Sequence, residues 1–188
     1  MMRIITGSAR GIKLLTLEGT ETRPTAERTK EAIFSMLQFD IEGRRVLDMF
    51  AGSGQMALEA LSRGASSAVM LDKSRSAVDI IRKNAEKTRL ADKCDIYCTD
   101  CKDYLSRNKD DAFDIVFIDP PYASDLVKKS LALLLKARAI KPTTIIVCES
   151  NAEIKIEDDE ELKHAYEVVK SAKYGIAHVN ILTVKGEY

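Results

Sequence analysis

The chain has 188 residues, 45% of them hydrophobic and 31% charged, and its 29 Lys and Arg balance 29 Asp and Glu to a formal net charge of zero. That size and apolar content suit one domain with a full core and a small appendage, and they exclude disordered, collagen-like and coiled-coil classes. No apolar run approaches the roughly 20 residues of a membrane span, and the opening Met-Met-Arg-Ile-Ile-Thr-Gly lacks a signal-peptide stretch, so a cytoplasmic location is expected.

Arg3–Thr6 and Ile12–Leu17 read as two short strands joined through Gly7-Ser8-Ala9-Arg10-Gly11, a hairpin with glycine at each end of its connection. After Arg23-Pro24-Thr25 the spacing of Ala26, Ile33, Phe34 and Leu37 predicts a helix to about Leu37, with Thr25 as its N-cap. Residues 1–40 are thus expected to form a hairpin-and-helix extension on a main domain of residues 41–188.

From Arg45 onward strand and helix alternate. Val46–Phe50 is a first buried strand, followed by a helix with Met56, Ala57, Ala60 and Leu61 on one face and Gly64 as its stop. Ala68–Leu71 ends at Asp72, Ser74 starts a helix with Ala77, Ile80, Ile81 and Ala85 inward, and Ile96–Thr99 ends at Asp100. In Asp114–Ile118 the uninterrupted Ile115-Val116-Phe117-Ile118 is typical of a central parallel strand. A helix over Leu126–Leu135 and a strand over Thr144–Cys148 follow; then Tyr166–Lys173 and Ala177–Lys185, separated by Gly175, form an antiparallel pair. This order predicts a doubly wound, Rossmann-like α/β fold with a seven-stranded, mostly parallel sheet.

Three of the four cysteines fall in a Cys94-x3-Cys98-x2-Cys101 pattern, an iron–sulfur spacing. Cys94–Cys98 reads as a strand rather than a glycine-rich cluster loop, so these are taken as buried thiols in a reducing compartment. His164 and His178 have no partner spacing and read as structural. Residues 1–13 carry Arg3, Arg10 and Lys13 without an acid, and Lys73–Arg89 adds six more cations against Asp79 and Glu86. A basic face is therefore expected, while the acidic run from Glu157 to Glu161 reads as a solvated loop or helix start.

The chemistry concentrates at two strand ends. In Asp48-Met49-Phe50-Ala51-Gly52-Ser53-Gly54 the glycines let backbone approach a ligand and turn into a helix whose N-terminus is electropositive. Gly52-x-Gly54-x-x-Ala57 followed by Asp72 also fits a dinucleotide fingerprint, so on spacing alone a nicotinamide enzyme and a methyltransferase are level. Asp48 suits a ligand with an ammonium group, such as the methionine end of S-adenosylmethionine, and suits a pyrophosphate badly. Asp119-Pro120-Pro121-Tyr122 lies at the carboxyl end of the fourth strand, where open α/β sheets place their sites. Two prolines remove two N–H donors and leave carbonyls and the Asp119 carboxylate as acceptors for a substrate amine, and Tyr122 can stack on the base that carries it. Asp72 and Asp100 can alternatively be ordinary strand-end caps.

With Arg3-Ile-Ile-Thr-Gly7-Ser-Ala-Arg10-Gly11, Arg23-Pro24-Thr25-Ala-Glu-Arg28, Leu47–Gly54, Glu59-Ala-Leu-Ser-Arg-Gly-Ala65, Phe117–Tyr122 and Glu149, the sequence resembles the bacterial RsmD family. That family makes N2-methylguanine in 16S ribosomal RNA of the small subunit, on a class I S-adenosylmethionine-dependent methyltransferase fold. The resemblance implies that Asp48, Phe50, Gly52 and Gly54 belong to the cofactor site, with Asp48 and the glycines at the methionine end. It also implies that Asp72 takes the ribose, Asp100 takes the adenine amine, and Arg23, Pro24 and Thr25 close over the cofactor. Asp119, the Pro120 carbonyl and Tyr122 would hold the guanine, Asp119 bordering the cofactor as well. The N-terminal hairpin, with Arg3, Arg10 and Lys13, would grip RNA. The implied partner is 16S rRNA within the small subunit or an assembly intermediate, met by a monomer without a metal. Gln55 and Met56 stand where smaller residues are common, and Lys73 follows the ribose acid. A DNA amino-methyltransferase would need room for a target-recognition domain, and a protein-glutamine enzyme would more often carry Asn at position 119. A non-catalytic RNA-binding assembly factor is opposed by the intact Asp119–Tyr122 and Gly52/Gly54 motifs.

Overall fold

The computed structural model describes residues 2–17, 24–121 and 124–186, apart from the side chains of 24–26 and 124. Its elements run α1 (Pro24–Met36), β1 (Arg45–Asp48), α2 (Gln55–Ser62), β2 (Ser67–Asp72), α3 (Arg75–Thr88), β3 (Cys94–Cys98), α4 (Cys101–Arg107), β4 (Phe113–Ile118), α5 (Ser124–Ala137), β5 (Ile140–Ser150), α6 (Glu160–Ala165), β6 (Tyr166–Tyr174) and β7 (Ala177–Val184). The seven strands form one sheet in the order β3-β2-β1-β4-β5-β7-β6. The first five are mutually parallel where they pair, and β7 runs antiparallel between β5 and β6. This is the doubly wound, Rossmann-like α/β architecture that the strand–helix alternation predicts.

Alternation along the strands divides the core in two. Val46, Met70, Phe117, Val147 and Ile181 face α1, α2 and α3, where they meet Phe34, Leu58 and Ile81. Leu47, Leu71, Val116, Ile118 and Cys148 face α4, α5 and α6, meeting Leu105, Leu131 and Leu162. Each such large side chain contributes about 2 kcal/mol of transfer free energy when fully buried. The central strands carry apolar residues on both faces because both are covered.

Four expectations are corrected. Residues 3–6 and 12–17 do not form strands; one antiparallel bridge, Arg3 to Lys13, joins them. Backbone bonds accompany that bridge, Ile4 N to Ile12 O, Gly11 N to Ile4 O and Leu14 N to Met2 O, while side chains of α2 and α3 take other amides of the segment: Ile5 N and Thr6 N donate to Glu59, Ala9 N to Ser62 Oγ, and Leu15 N to Asn84 Oδ1. The α1 helix begins at Pro24, so Thr25 lies in its first turn and does not cap it; proline suits the first helical position because its missing N–H has no partner there. The short helix α4, with Cys101, Tyr104 and Leu105 buried, was not anticipated. Finally, Cys98 is exposed and Cys94 half-buried, because β3 is an edge strand; Cys101 and Cys148 are buried. Among the described residues no three His, Cys, Asp or Glu side chains gather as metal ligands, and no helix is long and apolar enough to cross a membrane.

Candidate cofactor and substrate site

Parity along the sheet brings the strand-terminal acids together. Leu47, Leu71, Ile118 and Cys148 belong to the face covered by α4–α6, so the next residues, Asp48, Asp72, Asp119 and Glu149, turn to the face covered by α1–α3. All four sit at carboxyl ends of parallel strands, where the helices that follow begin with exposed N–H groups.

The turn after β1 is held by the two neighbouring strands. Met49 N donates to Phe117 O at 3.1 Å and Ala51 N to Leu71 O at 2.9 Å. Gly52 N donates to Asp72 Oδ2 at 2.9 Å, while Asp72 Oδ1 accepts from Ser74 N at 2.8 Å. Asp72 therefore ties the glycine loop to the start of α3, whose N-cap is Ser74. The two glycines have different duties. Both have positive φ, 56° at Gly52 and 77° at Gly54. A Cβ on Gly54 would press on Ile81 Cγ2 at 3.2 Å and Met70 Sδ at 3.3 Å, whereas a Cβ on Gly52 would meet nothing within 4 Å. Gly54 is thus a packing position, and Gly52 leaves its backbone open to a ligand.

Asp48 is 2% exposed, and its Oδ2 has no hydrogen-bond partner among the described residues. Burial pushes its pKa up to about 7, with Asp72 adding to the rise and backbone amides of Phe50 and Ala57 opposing it. A buried carboxylate oxygen without a donor fits a cationic or N–H-bearing ligand group. Phe50 is half-buried beside this turn and packs toward the α4–α6 face. Asp119 is exposed, Pro120 buried and Pro121 exposed. The surrounding protein raises the Asp119 pKa, and the Glu149 and Asp48 carboxylates add to the rise. Glu149 is half-buried and likewise raised by desolvation. Chemically, the cleft is a set of acceptors and carboxylates beside an open glycine backbone: it can hold a cationic ligand next to an amine donor.

Asp100 does not join that group as directly. It is exposed at the end of the edge strand and caps α4, accepting from Lys102 N at 2.8 Å. Arg23 and Tyr122 lie outside the described residues, as do the side chains of Pro24 and Thr25. A recess lies elsewhere, between α5, α6 and the start of β5, walled by Leu133, Ile140, Pro142 and Ala165, and none of the strand-end acids lines it.

The sequence reading assigned no role to the anchoring of the N-terminal segment, which the structure makes explicit. Glu59, fully buried on α2, accepts from Ile5 N at 2.7 Å, Thr6 N at 3.0 Å and Arg63 Nε at 2.8 Å, and lies 3.5 Å from Lys30 Nζ. Lys30 in turn donates to Arg3 O at 2.6 Å, and Arg63 lies 4.8 Å over the Phe34 ring. Ser62 Oγ donates to Thr6 O at 2.6 Å, and a Cβ on Gly7 would overlap the Ser62 carbonyl. Asn84 Nδ2 bonds both Leu15 O and Ser53 O, joining the segment to the glycine loop itself. This accounts for the Glu59–Ala65 motif: it is the dock for residues 4–15. Arg10 and Lys13 are exposed on that docked segment, above a helix that exposes Arg82, Lys83 and Lys87. Arg3 is exposed too, and its Nε pairs with Glu27 at 2.9 Å. Glu149 was noticed only as part of a resemblance; the signal that marks it is an acid closing the apolar run Ile145–Cys148, as Asp119 closes Ile115–Ile118.

Comparison with known proteins bears on this geometry. Residues 2–183 match the family model described as "Conserved hypothetical protein 95". The chain is 32% identical to the "Putative rRNA methyltransferase" of Bacillus subtilis over 98% of this chain and all of that one. It is 33% identical to "Ribosomal RNA small subunit methyltransferase D" of Haemophilus influenzae, over 79% of this chain and 78% of that one. A solved "Putative methyltransferase" from Escherichia coli superposes with a TM-score of 0.87 at 27% identity, covering 99% of both chains.

Proposed function

This chain belongs to the RsmD family of ribosomal RNA small subunit methyltransferases, and on that premise we propose that it methylates the exocyclic N2 amine of a guanine in 16S rRNA, using S-adenosylmethionine. The observation that carries the reading is the placement of the acceptor strand-end Asp119-Pro120 on the same sheet face as the partnerless Asp48 Oδ2 and the open backbone of Gly52.

The cofactor supplies an electrophilic methyl group on a sulfonium. Asp48 accepts hydrogen bonds from its ammonium, Gly52 lets it lie against the backbone, and Asp72 takes its ribose while holding the loop. Asp100 receives the adenine amine at the edge, and Arg23, Pro24 and Thr25 cover it. Asp119 and the Pro120 carbonyl accept the two hydrogens of the guanine amine, whose lone pair is otherwise delocalised into the ring, and Tyr122 stacks on the base. Asp119 and the Pro120 carbonyl would hold the nitrogen in line with the methyl group that the cofactor would supply. The surplus proton on nitrogen passes to Asp119, whose raised affinity for a proton suits it to receive one near neutral pH. The fixed acceptors also stabilise the positive charge that develops on nitrogen.

The base leaves any stack to reach this cleft, which favours a loop guanine. Arg3, Arg10 and Lys13 contact RNA phosphates. Net neutrality gives weak long-range attraction to free RNA, so the substrate is the small subunit or an assembly intermediate, met in the cytoplasm by a monomer. The test is transfer of labelled methyl from S-adenosylmethionine to unmethylated small subunits, naked 16S RNA, DNA and protein in parallel, with nucleoside analysis. N2-methylguanosine from the particle is expected; label in DNA or protein, or none despite bound cofactor, would discard the assignment.

A further inference from the structure

We propose that Glu149 is a specificity-determining residue: it accepts the N1–H of the target guanine beside Asp119 and so selects guanine over purines that lack that hydrogen. This rests on the guanine-N2 reading above and goes on to say how the base would be told apart.

The register places the two side chains together. Strands β4 and β5 pair in parallel with Phe117 opposite Val147 and Ile118 opposite Cys148, so Asp119 and Glu149 come next on adjacent strands. Phe117 and Val147 face α1–α3 and Ile118 and Cys148 the opposite side, so both acids face the cleft, on the same side as Asp48. On its other flank Glu149 pairs with Val179 of β7, which offers no charge. Among the described residues no hydrogen-bond donor or cation partners the Glu149 side chain, although it is half-buried. A fold gains nothing from a sequestered carboxylate beside a second one; the arrangement makes sense when a ligand brings donors.

Guanine is the base that brings two adjacent donors on one edge, N1–H and the N2 amine. Asp119 with the Pro120 carbonyl can satisfy the amine, which leaves N1–H for the neighbouring strand. Adenine at N1 and cytosine at N3 present lone pairs that a carboxylate repels, and uracil has an N–H but no amine. The pair of strand-end acids therefore complements guanine and rejects the other bases through an unpaired or repulsive contact.

The experiment uses small subunits reconstituted with unmethylated 16S RNA in which the guanine labelled by the wild-type enzyme is either retained or replaced by 2-aminopurine. That analogue keeps the N2 amine but has a bare acceptor at N1. Wild-type enzyme is expected to favour guanine in kcat/KM by roughly 10- to 100-fold, the value of one hydrogen bond to a charged group. Glu149→Gln, which can offer either an amide oxygen or an NH2, is expected to reduce that ratio to within a few-fold, with affinity for S-adenosylmethionine unchanged by titration. Because the readout is a ratio on one preparation, partial misfolding cancels. An unchanged ratio in Glu149→Gln with guanine still methylated overturns this inference alone. Absence of label on guanine RNA with wild-type enzyme overturns the guanine reading and this inference with it.

Discussion

Asp48→Asn separates the cost of the cofactor site from its use. The carboxylate is 2% exposed, has one oxygen without a partner among the described residues, and has its pKa raised by burial from 3.8 to about 7. A group that binds its proton more tightly in the folded state contributes stability that is fully present below its unfolded pKa and is lost as pH rises through the folded one. For Asp48 that window runs from about pH 4 to about pH 7. A rise of about three pH units, at about 1.4 kcal/mol each, sets an upper limit of about 4 kcal/mol that the ionised carboxylate withholds from the fold.

Asparagine cannot ionise, and it keeps one oxygen to accept from the amides of Phe50 and Ala57. After a discount for relaxation and water entry, the cofactor-free variant is expected to be about 2 kcal/mol more stable than wild type at pH 8. For a chain of this length that is roughly 4–8 °C in Tm. At pH 4.5, where wild-type Asp48 is itself neutral, the difference should vanish. Calorimetric titration of the same variant with S-adenosylmethionine should show binding lost or much weakened, since an amide does not replace a carboxylate opposite an ammonium. Melting curves at the two pH values check the first half. A variant destabilised equally at both would show that the carboxylate is a structural anchor, and the argument from its orphaned oxygen would fall.

Three further predictions follow from the same geometry. Asp119→Ala should abolish turnover while largely sparing cofactor binding, and because the Asp119 carboxylate is held above its ordinary range, wild-type kcat should fall on acidification through neutrality; a profile flat down to pH 5 would contradict this. Glu59→Gln leaves buried Lys30 and Arg63 short of their counter-charge, at a cost of roughly 3–5 kcal/mol, and hydrogen exchange should show Ile5 and Thr6 amides losing protection well before those of β4. If those two amides kept their protection, Glu59 would not be the dock. Gly54→Ala should lower Tm because its Cβ meets Ile81 and Met70, whereas Gly52→Ala, which meets nothing, should cost about 1 kcal/mol of backbone strain but weaken cofactor affinity more; equal effects on both readouts would refute the division of labour.

Elements whose signal is local were legible in the sequence. Ile115–Ile118 is apolar throughout because helices cover both faces of β4, and Ser74 caps α3 from its own side chain, so each needs only a few neighbours in the chain to be recognised. The N-terminal segment was not legible in detail, since its backbone is bound by Glu59, Ser62 and Asn84, between 53 and 69 residues away. Residues 3–6 and 12–17 look like strands, but they pair only through one bridge and a few backbone bonds, and side chains of α2 and α3 take the amides of Ile5, Thr6 and Leu15. Helix α4 spans seven residues, Cys101–Arg107, too few for periodicity to separate from a turn, and packing against α5 decides it. Cys98 was misplaced because alternation tells which residues share a face but not that β3 has an open edge.

The site shows the same boundary between local and long-range information. An acid after an apolar strand is visible in sequence, so Asp48, Asp72, Asp100 and Asp119 were all found, Asp72 and Asp100 with an ordinary capping role as their rival. The registers β1–β2, β1–β4 and β4–β5 show which of these acids come together. They set Asp48, Asp119 and Glu149 on one face, where among the described residues neither Asp48 Oδ2 nor the Glu149 side chain has a hydrogen-bond partner. They leave Asp100 at the edge with a capping bond to Lys102 N. Asp72 orders the loop, since its two oxygens bond Gly52 N and Ser74 N, and it does so beside the glycine backbone that the proposed ribose site adjoins. Under the proposed reading, capping and ligand binding need not be alternatives at this position: the bond that orders the glycine loop also fixes the carboxylate where a ligand would meet it.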